Sequence, residues 1–188
     1  LRVLLGILAA LLLVIIGYVL YVMISYHRLP DDLTLDVRTP ENADITGTVS
    51  VGTDYEIITY NIGFGAYTPD YSFFMDGGKS SVAASKESVL VTVSGAGELA
   101  AGYDPDFMIV EEVDLKATRS YHVDEYELLD KYFGGYYSDF AINYDSAFLM
   151  VPPWEPHGKS LAGIAFYSKY PIASAVRKSF PISTSFSK

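Results

Sequence analysis

From Val3 to Tyr26 the chain runs for 24 residues without one charged side chain. A helix needs about 20 apolar residues to cross the hydrocarbon core of a bilayer, so this run predicts a membrane anchor over residues 1–28. Tyr18, Tyr21 and Tyr26 fall near its C-terminal end, where aromatic rings favour the lipid–water interface. A cleaved leader has a shorter apolar region and a small-x-small cleavage site, and Met23-Ile24-Ser25-Tyr26-His27-Arg28 offers none. A buried core helix of this length would show a polar face, and this one has none. Arg2 and Arg28 flank the run and nearly balance each other in the positive-inside comparison. The acidic stretch that follows, beginning Pro30-Asp31-Asp32, fits a single-pass topology with the domain on the extracytoplasmic side.

Residues 29–188 carry 11 basic and all 23 acidic side chains, a net charge of −12. That length supports one sizeable core but not two ordinary domains. The absence of cysteine excludes a disulfide framework, a thiolate zinc site, an iron–sulfur cluster and a cysteine nucleophile. The acidic balance argues against a long nucleic-acid footprint, which needs a basic face.

Pro30, Pro40 and Gly47 break residues 29–53 into a linker with room for one edge strand. Tyr55–Tyr60 reads as a strand stopped by Asn61-Ile62-Gly63-Phe64-Gly65. Val82, Val89, Val93, Ala96 and Ala100 recur at helical spacing, though β-branched residues and Gly95 and Gly97 weaken that helix. Phe107–Val110 is an apolar strand ending in Glu111-Glu112-Val113-Asp114. A second helix follows, with Ser120 as its expected cap and Val123, Tyr126, Leu129 and Phe133 as its stripe. Gly134-Gly135 ends it. Tyr137–Tyr144, Gly163–Ser168 and Ile172–Val176 complete the strands, with a Pro-rich loop between the first two. This order predicts an α/β sandwich.

Two Gly-Lys-Ser triplets, at 78–80 and 158–160, lack the earlier glycine of a phosphate loop, since Phe73 and Pro153 stand there. Asn61–Gly65 is half of a dinucleotide fingerprint, and no nucleophile elbow or zinc-protease motif occurs. The three histidines, 27, 122 and 157, are scattered. What carries chemistry is a pair of strand ends, Asn61 and Glu111-Glu112. A carboxylate directly after four apolar residues is costly to bury unless paired or bound to metal. Amide and carboxylate oxygens together suit a hard cation such as Mg²⁺. The same residues also suit a strand ending in solvated charge, with Asn61 in a turn.

Thr59-Tyr60-Asn61-Ile62-Gly63, then Pro105-Asp106-Phe107-Met108-Ile109-Val110-Glu111-Glu112-Val113-Asp114, then Gly163-Ile164-Ala165-Phe166-Tyr167-Ser168-Lys169-Tyr170-Pro171-Ile172 occur in that order. Together they resemble the endonuclease/exonuclease/phosphatase superfamily, the deoxyribonuclease I-like fold that also houses neutral sphingomyelinases and inositol polyphosphate 5-phosphatases. The resemblance spans Tyr55 to Val176, about the N-terminal half of such a domain. It implies a Mg²⁺-dependent (or Mn²⁺-dependent) phosphoesterase in which Glu112 is the metal ligand and Asn61 orients the phosphate or a metal-bound oxygen. Glu111 stands where the family usually has Gln. The family's later Gly-Asp-x-Asn and Ser-Asp-His motifs do not occur before Lys188. The expectation is therefore an incomplete sandwich, part of a longer protein, whose 188 residues alone do not hydrolyse a phosphodiester.

Arg119 and His122, just after the Glu-bearing strand, are further catalytic candidates, Arg119 for bidentate phosphate binding and His122 for proton donation. Their alternative is an N-cap and first helical turn. Asn143-Tyr144 is a weaker candidate, and His157 is expected in a solvated loop. The expected substrate is a phosphate ester, whether a lipid head group, a nucleic acid or a small phosphodiester. The membrane is met through residues 3–26, and no stable protein partner is expected. The competing reading is a non-catalytic, membrane-anchored binding module that uses some of the 16 Tyr and 10 Phe as contact surface.

Overall fold

The computed structural model describes residues 1–26, 28–41, 43 and 47–181. His27, part of the linker and the Ser/Thr-rich segment 182–188 lie outside the described residues.

The apolar run forms one helix, α1 (Arg2–Ser25), and none of its residues is buried. It is long and apolar enough to cross a membrane. Tyr18, Val22 and Ser25 are its half-buried positions at the C-terminal end, a spacing that sets one stripe of the helix against the rest of the protein. The linker contains the expected edge strand, β1 (Leu33–Leu35), which pairs antiparallel with β6 (Ala175–Arg177). This last strand is shorter than the predicted Ile172–Val176.

The main sheet has four strands: β2 (Ile57–Asn61), β3 (Phe107–Asp114), β4 (Tyr137–Asp145) and β5 (Leu161–Ser168), in the order β2-β3-β5-β4. β2 and β3 are parallel, and β5 is antiparallel to both its neighbours. Parallel neighbours need a crossover, which α2 (Lys86–Ala101) provides. Ser85 caps α2 by accepting from the Ser88 N–H at 3.0 Å, so the helix starts at Lys86, four residues after Val82. Val89, Val93, Ala96 and Ala100 are its buried stripe, as expected from their spacing. Gly97, which weakens the helix in isolation, has a packing reason. A Cβ there would lie 2.6 Å from the Tyr132 ring of α3 (Glu125–Phe133).

The cap of α3 differs from expectation. Asp124 is the N-cap, accepting from the Glu127 N–H at 3.0 Å, while Ser120 is buried and donates to Asp114 Oδ2 at 2.7 Å. Asp is among the strongest capping side chains, and the Ser120 hydroxyl is taken by a deeper partner.

Both helices cover one face of the sheet, where Leu129, Phe133, Val89 and Val93 meet Met108, Val110, Ala165 and Tyr167. The molecule is thus of mixed α/β class, a helix layer on a sheet. The other sheet face is only partly covered. Phe107 stacks on Phe166 with ring centroids 6.2 Å apart, Tyr55 and Tyr170 close on Phe107 at its edge, and Ile57 is 63% exposed.

Candidate functional site

Because β2 and β3 run parallel in register, Asn61 pairs with Glu111 and both strands reach the same end of the sheet. There the pairing of β3 with β5 slips. Val110 faces Ala165 and Val113 faces Gly163, so Glu111 and Glu112 together oppose one residue. This is a β-bulge, which re-aims a side chain and restarts the alternation. Glu112 takes the extra position with φ +56°, a left-handed conformation that costs a non-glycine residue about 1 kcal/mol or more. The gain is directional: Glu112 is turned to solvent, while Val113 returns to the core with no exposure.

Asn61 Nδ2 donates to Glu112 Oε1 at 2.9 Å, and Asn61 Oδ1 accepts from the Gly63 N–H at 2.9 Å. The Gly63 donor settles which way the amide points, since only the oxygen can face it. Gly63 itself has φ +54°, and a Cβ there would lie 2.4 Å from the Tyr67 ring. Glu111 stays on the partly covered sheet face, where Thr59 Oγ1 donates to its Oε1 at 3.1 Å. The two adjacent carboxylates therefore do not converge.

A second bulge lies across β5. Ile142 pairs with Gly163 and Tyr144 with Ala162, so Asn143 is the extra residue of β4. Gly163 sits between both bulges, and a Cβ there would lie 2.3 Å from the Ala141 carbonyl oxygen and 2.6 Å from the Phe140 ring. Asn143 and Tyr144 are exposed at this end of the sheet.

Arg119 lies in a 3₁₀ turn (Thr118–Ser120) and is buried. Its Nε donates to Asp114 Oδ2 at 3.0 Å, its Nη2 to Asp114 Oδ1 at 2.8 Å, and its guanidinium lies 4.0 Å from the Phe64 ring centroid. The fork expected to grip a phosphate is thus closed on an internal carboxylate. Burial works against its charge, but the hydrogen bond and charge of Asp114, followed by Glu112 and Glu125, hold its pKa above the ordinary value. Glu125, fully buried, accepts from the Asp114 N–H at 2.8 Å. Burial and the Asp114 charge push its carboxyl well above the usual range.

His122 is exposed, with φ +57°, and no hydrogen bond or ion pair joins its side chain to Asn61 or Glu112 among the described residues. His157 is buried, not solvated. Its Nε2 lies 3.3 Å from Ser160 Oγ and its ring sits beside Phe73 and Phe74. Burial, then the nearby Arg119 charge, lowers its pKa. The structure therefore joins Asn61 to Glu112 and places the Arg119 charge near Glu112, but no hydrogen bond ties His122 to the pair among the described residues.

Among the described residues no group of three or more His, Asp or Glu side chains could hold a metal. One exposed carboxylate with a free oxygen nevertheless fits Mg²⁺, which keeps several waters and uses one or two carboxylates. Asn61 donates to Glu112 and accepts one hydrogen bond from the Gly63 N–H, so it holds the carboxylate while its Oδ1 keeps a second lone pair.

Tyr67 was not evident from sequence. Burial, then the charges of Asp76 and Glu112, raise its phenol pKa, which places it in the field of Glu112. Asp114 was also missed, although Asp114-x4-Arg119-Ser120 was a visible spacing. A cleft of about 690 Å³ is lined by Val22, Tyr26, Ile142, Tyr144, Val176 and Arg177. It lies beside the end of β4 rather than over Glu112. No family model, no curated protein and no solved structure matches the chain.

Proposed function

We propose that this chain belongs to a membrane-anchored, Mg²⁺-dependent phosphoesterase of deoxyribonuclease I-like type, with α1 spanning the bilayer and residues 29–188 on the extracytoplasmic side. The observation that carries this reading is the Asn61–Glu112 hydrogen bond at the joined ends of two parallel strands. A bulge with a strained backbone is a costly way to end a strand, and such strain collects at functional sites.

In this reading Glu112 would hold Mg²⁺ through the oxygen that Asn61 leaves free. The bound ion supplies charge neutralisation at a phosphoryl group and its leaving oxygen. Asn61 keeps the carboxylate in one orientation, so little ordering remains to be done when a ligand arrives. Arg119, locked to Asp114, contributes positive potential near Glu112 and no direct phosphate grip. Proton transfer is assigned to no residue, because no hydrogen bond ties His122 to the Asn61–Glu112 pair among the described residues and His157 is buried. The 188 residues alone are therefore expected to bind the ion without turning over a phosphodiester.

Calorimetric titration of Mn²⁺ or Mg²⁺ into the detergent-solubilised chain tests this. Binding that disappears in Glu112→Gln and persists in Glu111→Gln is expected. Absence of binding, or equal binding by Glu112→Gln, would sink the metal site and favour a second reading, a surface binding module. That reading has its own support in the half-exposed aromatic face of Phe107, Phe166, Tyr55 and Tyr170.

A further inference from the structure

The loop joining β4 to β5 contains Ala147-Phe148-Leu149-Met150-Val151-Pro152-Pro153-Trp154, eight consecutive residues without charge. An apolar loop normally hides its side chains, but Phe148 is 38% exposed, Met150 48%, Val151 55% and Trp154 70%. Single exposed apolar residues mean little, whereas a contiguous patch marks a binding surface. The position of the patch is informative. The Met150 N–H donates to Tyr18 Oη at 2.8 Å, and the Phe148 N–H donates to Tyr21 Oη at 3.1 Å. Both acceptors lie inside the apolar helix α1 (Arg2–Ser25). At about 1.5 Å per residue, Tyr18 is roughly 10 Å below the end of that helix.

We propose that this loop is a second lipid-contacting element, inserted into the interfacial zone of the bilayer that α1 crosses. The inference rests on the reading of α1 as a membrane span. A helix of 24 residues has little length beyond what the hydrocarbon core needs. Tyr21 therefore stands near the boundary between acyl chains and head groups, where tyrosine concentrates, with Tyr18 about one turn deeper, and together they hold the loop within the outer part of the bilayer. Interfacial elements bury about 5–10 Å into that boundary.

The loop backbone suits a low-dielectric medium, in which an unpaired polar group is costly. Leu149 and Gly158 exchange two hydrogen bonds, the His157 N–H donates to the Val151 carbonyl, and the Glu155 N–H donates to the Pro152 carbonyl. Phe148 and Met150 donate to the tyrosines, while Pro152 and Pro153 have no N–H to satisfy. The Trp154 indole N–H donates to the Lys79 carbonyl at 3.2 Å, so the ring can meet lipid with its polar atom paired. Glu155 pins the base of the loop, accepting from the Ser81 N–H at 2.6 Å. Much of the loop's hydrogen bonding is thus made within the protein, while Phe148, Met150, Val151 and Trp154 stay exposed.

Trp154 is the chain's single tryptophan, so its emission reports on the loop without labelling. The full chain is reconstituted into vesicles of phosphatidylcholine and phosphatidylglycerol carrying nitroxides either near the head group or near the acyl-chain end. Flotation is measured on the same samples. The expected result is co-flotation, with head-group-proximal nitroxides quenching Trp154 more than deep ones. Aqueous iodide should quench severalfold less than it quenches a free tryptophan derivative. Phe148→Ser with Met150→Ser should reduce the lipid quenching while flotation through α1 persists.

Failure to float would overturn the span reading and this inference with it. Flotation with full iodide access and no lipid quenching would overturn the loop inference alone. Flotation with iodide shielding but no lipid quenching would also overturn it, pointing to a protein contact such as a second copy of the chain.

Discussion

Arg119 is the side chain on which the most buried charge depends. It neutralises Asp114, whose exposure is zero, beside the equally buried Glu125. Removing one partner of a buried ion pair leaves the other without compensation and costs about 3–5 kcal/mol. Arg119→Ala should lower the urea midpoint in mild detergent accordingly, whereas Lys178→Ala, whose pair with Asp32 is mostly exposed, should leave it unchanged. His157 sets a pH dependence. Its folded pKa is depressed by burial and by Arg119, so the folded state binds fewer protons than the unfolded chain near the ordinary histidine pKa. Its contribution is present above about pH 6.5 and is lost as the pH falls through the folded value. Urea unfolding between neutral and mildly acid pH should show that decline, and His157→Gln should flatten it. At this scale Asn61 and Glu112 were legible because polar side chains directly after apolar strands are conspicuous in any sequence. The Asp114–Arg119 pairing was not, because it depends on where the bulge aims β3. The burial of His157 likewise depends on Phe73 and Phe74, which are distant in sequence.

The bulges are features of elements, and they explain why a clean alternation failed to describe β3. Strict period two would have placed Glu112 with Met108 and Val110 and left Val113 opposite them. The extra residue instead lets Val110 and Val113 both reach the core. Gly163, which pairs with both irregular strands, leaves room for the Ala141 carbonyl and the Phe140 ring of β4 to close on it. Gly163→Ala forces the β4 backbone or the Phe140 ring to move, an overpacking cost of about 1–3 kcal/mol. Gly135→Ala, where nothing lies within 4 Å, should change stability by less than about 0.5 kcal/mol. Denaturant midpoints of the two variants provide the comparison. Helix positions were readable from apolar spacing, but their starts were set by caps. Asp124 displaced Ser120 as the cap because Ser120 had a buried carboxylate to serve.

For the whole molecule, the mixed α/β class and the long apolar helix followed from patterns that need no tertiary knowledge. The half-covered sheet face and the attachment of the β4–β5 loop to α1 did not, since both depend on contacts between segments far apart in sequence. The sheet end bearing Glu112 is also the end from which that loop projects, because Asp114 pairs with Ala162 and Asp145 with Leu161. In the proposed reading this brings the candidate site toward the bilayer and favours a lipid-borne phosphate ester over a nucleic acid.

The Tyr18 and Tyr21 hydrogen bonds also make the loop and the helix move together. A spanning helix accommodates thinner or thicker bilayers by changing its tilt. In the proposed reading, with α1 spanning the bilayer, the β4–β5 loop is held to the last turns of that helix, so a change of tilt would carry the sheet with it. Membrane thickness would then act as a lever on how the Asn61–Glu112 end meets the lipid surface.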